Sequence, residues 1–376
     1  MIIDGLLGLA LLVWLWWNLV WRPRWPRRTR LVLSVILTIT LLGSALATLA
    51  SRYLGLTCWR LLLSTGSALL IFYLYLGLAL LPVALIWALT SRRQWGKRLT
   101  IIATVVAMLA AGAITAWGAD RAARLPVDQL QVTQPRLPAN FDGMTIALVT
   151  DVHLGATSRP TLITETIDQL NEAHPDLIVF GGDLIDGSVA NLGDSLRPLT
   201  ELSAPDGVVF TTGNHEMYHD PQAWIDFEAS IGLTQLNNDG FKIWRGKQSI
   251  ELIGIDDASG QGQLAPSLRW ACRQANDGPC SATDGVFRIL VAHQPRQALA
   301  NHQLPPQLGI DLQLSGHTHG GQFLPFGLTT LLVQPMLSGV AQVGGITVVT
   351  SRGVAGWGPQ VRVGADPQIV LITLRR

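Results

Sequence analysis

Eight side chains suited to holding a divalent cation or moving a proton stand where short apolar runs end: Asp151, His153, Asp183, Asn214, His215, His293, His317 and His319. Carboxylate, imidazole and amide oxygen together are ligands for metals of intermediate hardness, and no thiolate is among them. Asp151 and His153 are one residue apart, as are His317 and His319, a spacing that turns both members of a pair to one side as a strand runs out into its loop. In "GHTHGGQ", residues 316–322, Gly316, Gly320 and Gly321 let the backbone turn tightly and approach an ion. Taken singly, each residue reads as a hydrogen-bonded polar group at a strand end. Five of the eight histidines fall in this set, however, and the same placement recurs in five motifs, which makes coincidence a poor account. His174, His219 and His302 lack that context and are expected on the surface or at helix termini.

The segments that must position these groups alternate between strand and helix patterns. "MTIALVTDVH" reads as a strand ending in polar residues, with a helix expected over Pro160 to Ala173. "DLIVFGGDLID", "GVVFTTGNHE", "FRILVAHQP" and "IDLQLSGHTH" repeat the form, and further strands are expected near 345–350 and 368–374. Polar residues at the C-terminal ends of strands are where open α/β sheets place ligands. The sequence contains neither a GxxxxGK phosphate loop nor a G-x-S-x-G elbow.

The first third of the 376 residues has a different composition. Four apolar stretches, Ile2 to Trp21, Leu31 to Ala50, Leu61 to Leu89 and Leu99 to Trp117, approach or exceed the ~20 residues that a bilayer-crossing helix needs. Nine of the 13 tryptophans precede residue 118, several near span ends such as Trp21, Trp59 and Trp117. The loop holding Arg22, Arg24, Arg27, Arg28 and Arg30, and that holding Arg92, Arg93, Lys97 and Arg98, are expected in the cytoplasm. Four spans then put the N-terminus and everything after residue 120 on the other side, in the manner of a multi-pass inner-membrane protein with a periplasmic domain; an error of one span inverts this. Residues 1–119 are thus read as a four-helix membrane region, 120–140 as a proline-containing linker lifting a domain off the membrane, and 141–376 as that domain.

Charge follows the same division. Residues 1–120 hold 11 of the 27 basic groups and two of the 26 acidic ones, so the remainder is acidic, which excludes a general binder of nucleic acid. Three cysteines make no disulfide framework and no zinc motif. Cys272 and Cys280 can pair with each other or remain two thiols in a loop, and an extracytoplasmic domain favours the bond.

The ordered series "DVH", "GD", "GNHE", "AHQP" and "GHTHGGQ" resembles the calcineurin-like metallophosphoesterase family over roughly residues 143–374, and the membrane part in front resembles membrane-associated bacterial members. The resemblance implies an α/β fold, a double β-sheet sandwich flanked by helices, with a dinuclear metal centre at its rim. By the same resemblance Asp151, His153 and His319 hold one ion, Asn214, His293 and His317 the other, and Asp183 bridges them. His215 would protonate the leaving oxygen or stabilise its charge, and Asp186 would orient a ligand. Glu216 orients His215 or closes the local turn, with the structural role favoured. Arg352 and Arg362, in "SRGVAGWGPQVRVG", are candidates to meet a substrate phosphate, against the plainer reading of a surface loop. Two such ions, manganese, iron, zinc or cobalt, would lower the pKa of a bound water so that hydroxide attacks near neutral pH, and would clamp phosphoryl oxygens.

The expected activity is membrane-bound, metal-dependent phosphoester or phosphodiester hydrolysis. A site tethered near a bilayer meets lipid-linked phosphates at high local concentration, so the lipid bilayer and a lipid-linked phosphate are the expected partners. The alternatives are an extracytoplasmic phosphodiesterase on soluble substrates, a catalytically silent signalling or scaffold protein, and a transport path with an outer regulator. The full ligand set weighs against a silent domain, and spans almost free of interior charge weigh against transport.

Overall fold

The computed structural model describes residues 2–23, 25–53, 60–276, 280–299 and 308–376. Arg24, Trp59 and His302 lie outside the described residues.

The membrane part consists of α1 (Ile2–Trp16), α2 (Arg27–Tyr53), α3 (Arg60–Thr90) and α4 (Gln94–Ala122). Among the described residues three helices, not the expected four, are long and apolar enough to cross a membrane: Arg27–Ala50, Arg60–Thr90 and Gln94–Ala122. The first apolar stretch differs because its α-helix stops at Trp16 and widens into a π segment, Trp17–Trp21. There the Asn18 amide donates to the Trp14 carbonyl at 2.9 Å, taking an acceptor from the helical ladder, and Arg22 donates to Asn18 Oδ1 at 2.6 Å.

Beyond α4 come two six-stranded sheets. The first has the order β1 (Val127–Thr133), β12 (Ile369–Arg375), β2 (Thr145–Val149), β3 (Leu177–Gly181), β4 (Val208–Thr211), β5 (Thr234–Gln235). The second runs β10 (Gly339–Val343), β11 (Ile346–Thr350), β9 (Leu312–Ser315), β8 (Phe287–Val291), β7 (Gln248–Gly254), β6 (Asp239–Arg245). The two-residue period of a strand sorts the side chains. In β3, Leu177 and Val179 join Leu252, Ile289 and Leu314 in the core between the sheets. Ile178 and Phe180 point the other way, into a core shared with Ile167 and Leu170 of α5 (Leu162–Ala173), Leu192 of α6 (Val189–Leu196) and Trp224 of α8 (Pro221–Ser230). The outer face of the second sheet is covered by α9 (Leu268–Asn276), where Cys272 is disulfide-bonded to Cys280. Both faces of each sheet are therefore buried, which explains the near-continuous apolar runs of the parallel strands.

The stretch 120–140 is not a free linker. Arg121, one residue from the end of α4, pairs with Asp366, and Val127–Thr133 adds a parallel strand to β12 in register from Ile369 to Arg375. The domain consequently sits on the helices: a methyl at Gly118 would lie 2.7 Å from Val361 and 2.8 Å from Val363, and Tyr75 donates to the Leu324 carbonyl at 2.6 Å. The reason is the alternation in "VDQLQVT", which offers a strand edge once β12 stands beside it.

One buried group opposes the fold. Glu228 in α8 is wholly buried, and neither of its carboxylate oxygens has a hydrogen-bond partner. Burial first, and then the nearby Glu216, raise its pKa well above the ordinary glutamate value. A carboxyl whose folded pKa exceeds its unfolded one costs stability as pH rises above the unfolded value, because the unfolded chain releases the proton first. Glu228→Gln is therefore expected to melt above the wild type at pH 8, with the gap closing toward pH 5; thermal melts across that range check it.

Candidate metal centre

Five strands deliver the candidate groups to one rim. β2 leads into Asp151 and His153, β3 into Asp183 and Asp186, and β4 into Asn214 and His215 at the start of α7 (Asn214–Tyr218). From the second sheet, β8 leads into His293, and β9 into His317 and His319. Asp151, His153, Asp183, His317 and His319 all take positive φ, from 44° to 70°, a region that L-residues rarely adopt. Such strain persists only where surrounding contacts impose it, and it turns these side chains inward. Close approach demands glycine at two neighbours: a methyl at Gly213 would lie 2.2 Å from Asp183 Oδ1, and one at Gly316 would lie 2.4 Å from Asp151 Oδ2.

Ligand-type atoms gather in three groups: Asp151, His153 and His319; Asp183, His293 and His317; and His153, Asp186 and His215, which shares His153 with the first. His153 Nε2 and His319 Nε2 stand 3.0 Å apart. Two imidazole nitrogens each about 2.0–2.1 Å from a shared ion would be separated by roughly that distance. His293 donates through Nδ1 to the Gly181 carbonyl at 2.8 Å, which turns Nε2 toward Asp183; burial would lower its pKa, but Asp183 and Asp151 outweigh that and raise it well above the ordinary value. That Nε2 lies 3.1 Å from Asp183 Oδ2 but makes no hydrogen bond, and Asn214 Oδ1 is likewise buried without a partner. Burial, followed by the charge of His293, lowers the His317 pKa to about 4. Burial, and then Arg362, hold His319 well below its ordinary value, so both rings are neutral. Asp151, Asp183, Asp186 and Glu216 meanwhile concentrate four buried carboxyl groups in one place. An orphaned Asn214 oxygen, the neutral His317 and His319 rings and excess buried acid fit divalent cations.

Asp186 does more than orient a ligand. Its carboxylate lies 3.3 Å from His153 Nδ1 and bonds His215 Nδ1, so one residue links a candidate ligand to the candidate acid. Burial alone would raise the Asp186 pKa, but His153 and His215 outweigh it and hold the group ionised. Burial would lower His215, but Asp183, Asp186 and Glu216 overcome that and raise it to about 9. Glu216 accepts backbone N–H groups from Asp183 at 3.0 Å, Leu184 at 2.8 Å and Gly213 at 2.6 Å, and so ties two ligand loops together without touching the His215 ring.

Arg352 and Arg362 do not reach the cavity. Arg362 is fully buried and donates to the carbonyls of His319 at 2.7 Å and Arg352 at 2.9 Å. Arg352 bonds the Asp366 carbonyl and the Asp128 carboxylate, each at 2.7 Å. Both guanidinium groups thus organise the "SRGVAGWGPQVRVG" loop behind the ligands, because β1 and the loop carry the nearer acceptors.

The cavity at the rim encloses about 670 Å³ and is lined by Asp183, Asn214, His215 and His317 and by a mainly apolar wall of Phe323, Phe326, Val333 and Trp357, interspersed with Gln322, Thr329 and Thr330. That apolar wall is not legible from the motifs, although "FLPFGLTTLLV" comes directly after them. His219, expected on the surface or at a helix end, caps α7 and also lines the cavity. His174 caps α5.

The family model for calcineurin-like phosphoesterase matches residues 144–321. A transmembrane protein with metallophosphoesterase domain from Danio rerio is 32% identical over 73% of this chain and 63% of its own. An uncharacterized metallophosphoesterase from Helicobacter pylori is 31% identical over 61% of this chain and 60% of its own. The uncharacterized metallophosphoesterase YkuE of Bacillus subtilis is 31% identical over 76% of this chain and 98% of its own length. The chain therefore spans under two thirds of the first two relatives and nearly all of the third. With three helices apolar enough to cross a bilayer and this domain behind them, the chain is a membrane protein that belongs to the calcineurin-like metallophosphoesterase family.

Proposed function

We propose that the chain hydrolyses a phosphoester carried by a membrane lipid, at a centre of two divalent ions. The observation that carries the reading is the convergence of seven ligand-type residues from five strands beside a cavity with a mainly apolar wall. Asp151, His153 and His319 would hold one ion, Asn214, His293 and His317 the second, with Asp183 bridging them. When bound, the ions supply an activated water near neutral pH and charge stabilisation for the phosphoryl oxygens. The remaining tasks belong to side chains. Asp186 holds His215 by Nδ1, which leaves Nε2 at the cavity to give its proton to the departing oxygen. Asp183 Oδ1 accepts the His215 backbone N–H at 2.8 Å, so the acid and the central carboxylate move as one unit. N and O donors without thiolate suit manganese, iron, zinc or cobalt.

The domain belongs on the extracytoplasmic side of the membrane in this reading. Arg27, Arg28 and Arg30 begin α2, and Arg92, Arg93, Lys97 and Arg98 join α3 to α4. Both clusters lie at the same end of the three long helices, whatever path α1 takes, and positive charge favours the cytoplasm. The domain is attached to α4 at the opposite end, where a Cys272–Cys280 disulfide is at home. Exposed Lys247 should accordingly react with an impermeant amine reagent on intact cells; labelling only after lysis would reverse the orientation.

Substrate class is tested by comparing kcat/KM for phosphatidic acid in mixed micelles with that for p-nitrophenyl phosphate, manganese being present. A preference of about tenfold or more for the lipid is expected. Equal values would favour a soluble phosphoester instead.

A further inference from the structure

The cavity's apolar wall continues into a surface that the catalytic chemistry does not use. Between His319 and Arg352 the sequence has no Asp, Glu, Lys or Arg. Within that span, the 3₁₀ segment Phe326–Leu332 buries no residue, and Leu332 and Val333 are 85% and 63% exposed, with Leu328 and Leu331 also open. Four large aliphatic side chains side by side on a water-facing loop would be costly, and such a patch marks contact with something apolar.

The membrane helices indicate what that is. At the arginine-rich end, the Arg22 guanidinium lies 5.6 Å from the Trp87 ring, Arg30 lies 5.1 Å from Trp21 and Arg93 lies 5.7 Å from Trp95, an arrangement that suits the headgroup level. Tyr75 is 12 residues before Trp87 on α3, hence about 18 Å further along it, whereas the hydrocarbon is about 30 Å thick. Tyr75 bonds the Leu324 carbonyl, and its ring packs against Phe326 at 5.9 Å between centroids. Phe323 and Phe326 also pack on the core of the membrane helices. Trp357, which also lines the cavity, sits higher: a methyl on its neighbour Gly358 would touch Thr48 at 3.6 Å, and Thr48 is about 27 Å along α2 from Arg30. The cavity thus spans from the headgroup level nearest the domain down into the acyl region of that leaflet.

We propose that Phe323–Val333 is embedded in the acyl layer of the domain-side leaflet and forms a lipid-facing wall of the cavity. A lipid phosphate then reaches the site from within the bilayer, its chains staying against Phe326 and Val333 while its phosphate meets the polar wall. The substrate half of this inference rests on the phosphoesterase reading; the embedding does not.

Two measurements on the full chain in phosphatidylcholine vesicles separate them. In a Cys58→Ser background, an environment-sensitive fluorophore on the Leu332→Cys thiol should be quenched by acyl-chain spin labels and shielded from iodide, unlike the same probe on Lys247→Cys. Equal iodide quenching at both sites would overturn the embedding. Leu331→Glu combined with Leu332→Glu, at positions outside the cavity lining, should lower kcat/KM for phosphatidic acid in those vesicles by about tenfold or more, since carboxylates do not remain in hydrocarbon. Hydrolysis of p-nitrophenyl phosphate should stay within about twofold. Equal loss on both substrates, or none on either, would refute entry from the bilayer. A wild type inactive on both would refute the phosphoesterase reading, while the quenching result still decides the embedding.

Discussion

Asp183→Asn is expected to reduce phosphoester hydrolysis by on the order of 10³-fold or more and to leave the protein with fewer than two equivalents of metal. Asp183 gathers with His293 and His317 and also approaches the other group: its Oδ2 lies 3.1 Å from His293 Nε2 and 3.7 Å from His153 Nε2, while Oδ1 accepts the His215 amide. Asparagine keeps the shape and that hydrogen bond but removes the negative charge. Burial alone would raise the Asp183 pKa, but His293 and His215 outweigh it and hold the group well below the ordinary value, so asparagine leaves those rings without their counter-charge and the metal-free variant should unfold more readily than the metal-free wild type. Metal analysis after dialysis, alongside turnover with added manganese, checks this. Undiminished activity with two ions bound would remove Asp183 from between them.

His215→Ala is expected to lower kcat by about 10²- to 10⁴-fold while KM and metal content change little. The ring gathers with His153 and Asp186 rather than with the groups containing Asp151 or Asp183, and it lines the cavity with Nδ1 committed to Asp186. If it protonates the departing oxygen, the loss depends on that oxygen's basicity. An alkyl or lipid phosphate, which leaves as a strongly basic alkoxide, should suffer most. p-Nitrophenyl phosphate, whose product is a stable anion, should suffer least. Equal losses on the two substrates would mean that the ring positions Asp186 or the phosphate rather than supplying a proton. Asp186→Asn should reproduce the same substrate dependence at smaller amplitude, because it releases Nδ1 without removing the ring.

Local sequence determines the strands and the polar turn at the end of each. An apolar run such as "LIVFG" with glycine and aspartate behind it specifies a buried strand and a polar turn from neighbouring residues alone, which is why the candidate ligands are recognisable by type and spacing. Apolar length likewise marks α2, α3 and α4 as bilayer helices. The first apolar stretch reads less clearly, because its widening after Trp16 depends on where the Asn18 amide bonds.

Tertiary structure decides which partner each segment meets. Val127–Thr133 becomes a strand only beside Ile369–Arg375, more than 200 positions away, and so closes the interval that composition marks as a linker. Arg352 and Arg362 look like phosphate contacts until Asp128, Asp366 and the His319 carbonyl stand next to them. Asp186 is placed against His215 as well as His153, and the left-handed backbone at five ligand positions exists only because the two sheets press their loops together. The apolar wall from Phe323 to Val333 acquires meaning only where it lies along Tyr75 on α3. Strand and turn are encoded by neighbours in the chain, whereas charge pairing, burial and the surface a loop faces arise from contacts between distant segments. The chemistry available is therefore written in the linear order of residues, and the fold settles which of them carry it and from which side it is reached.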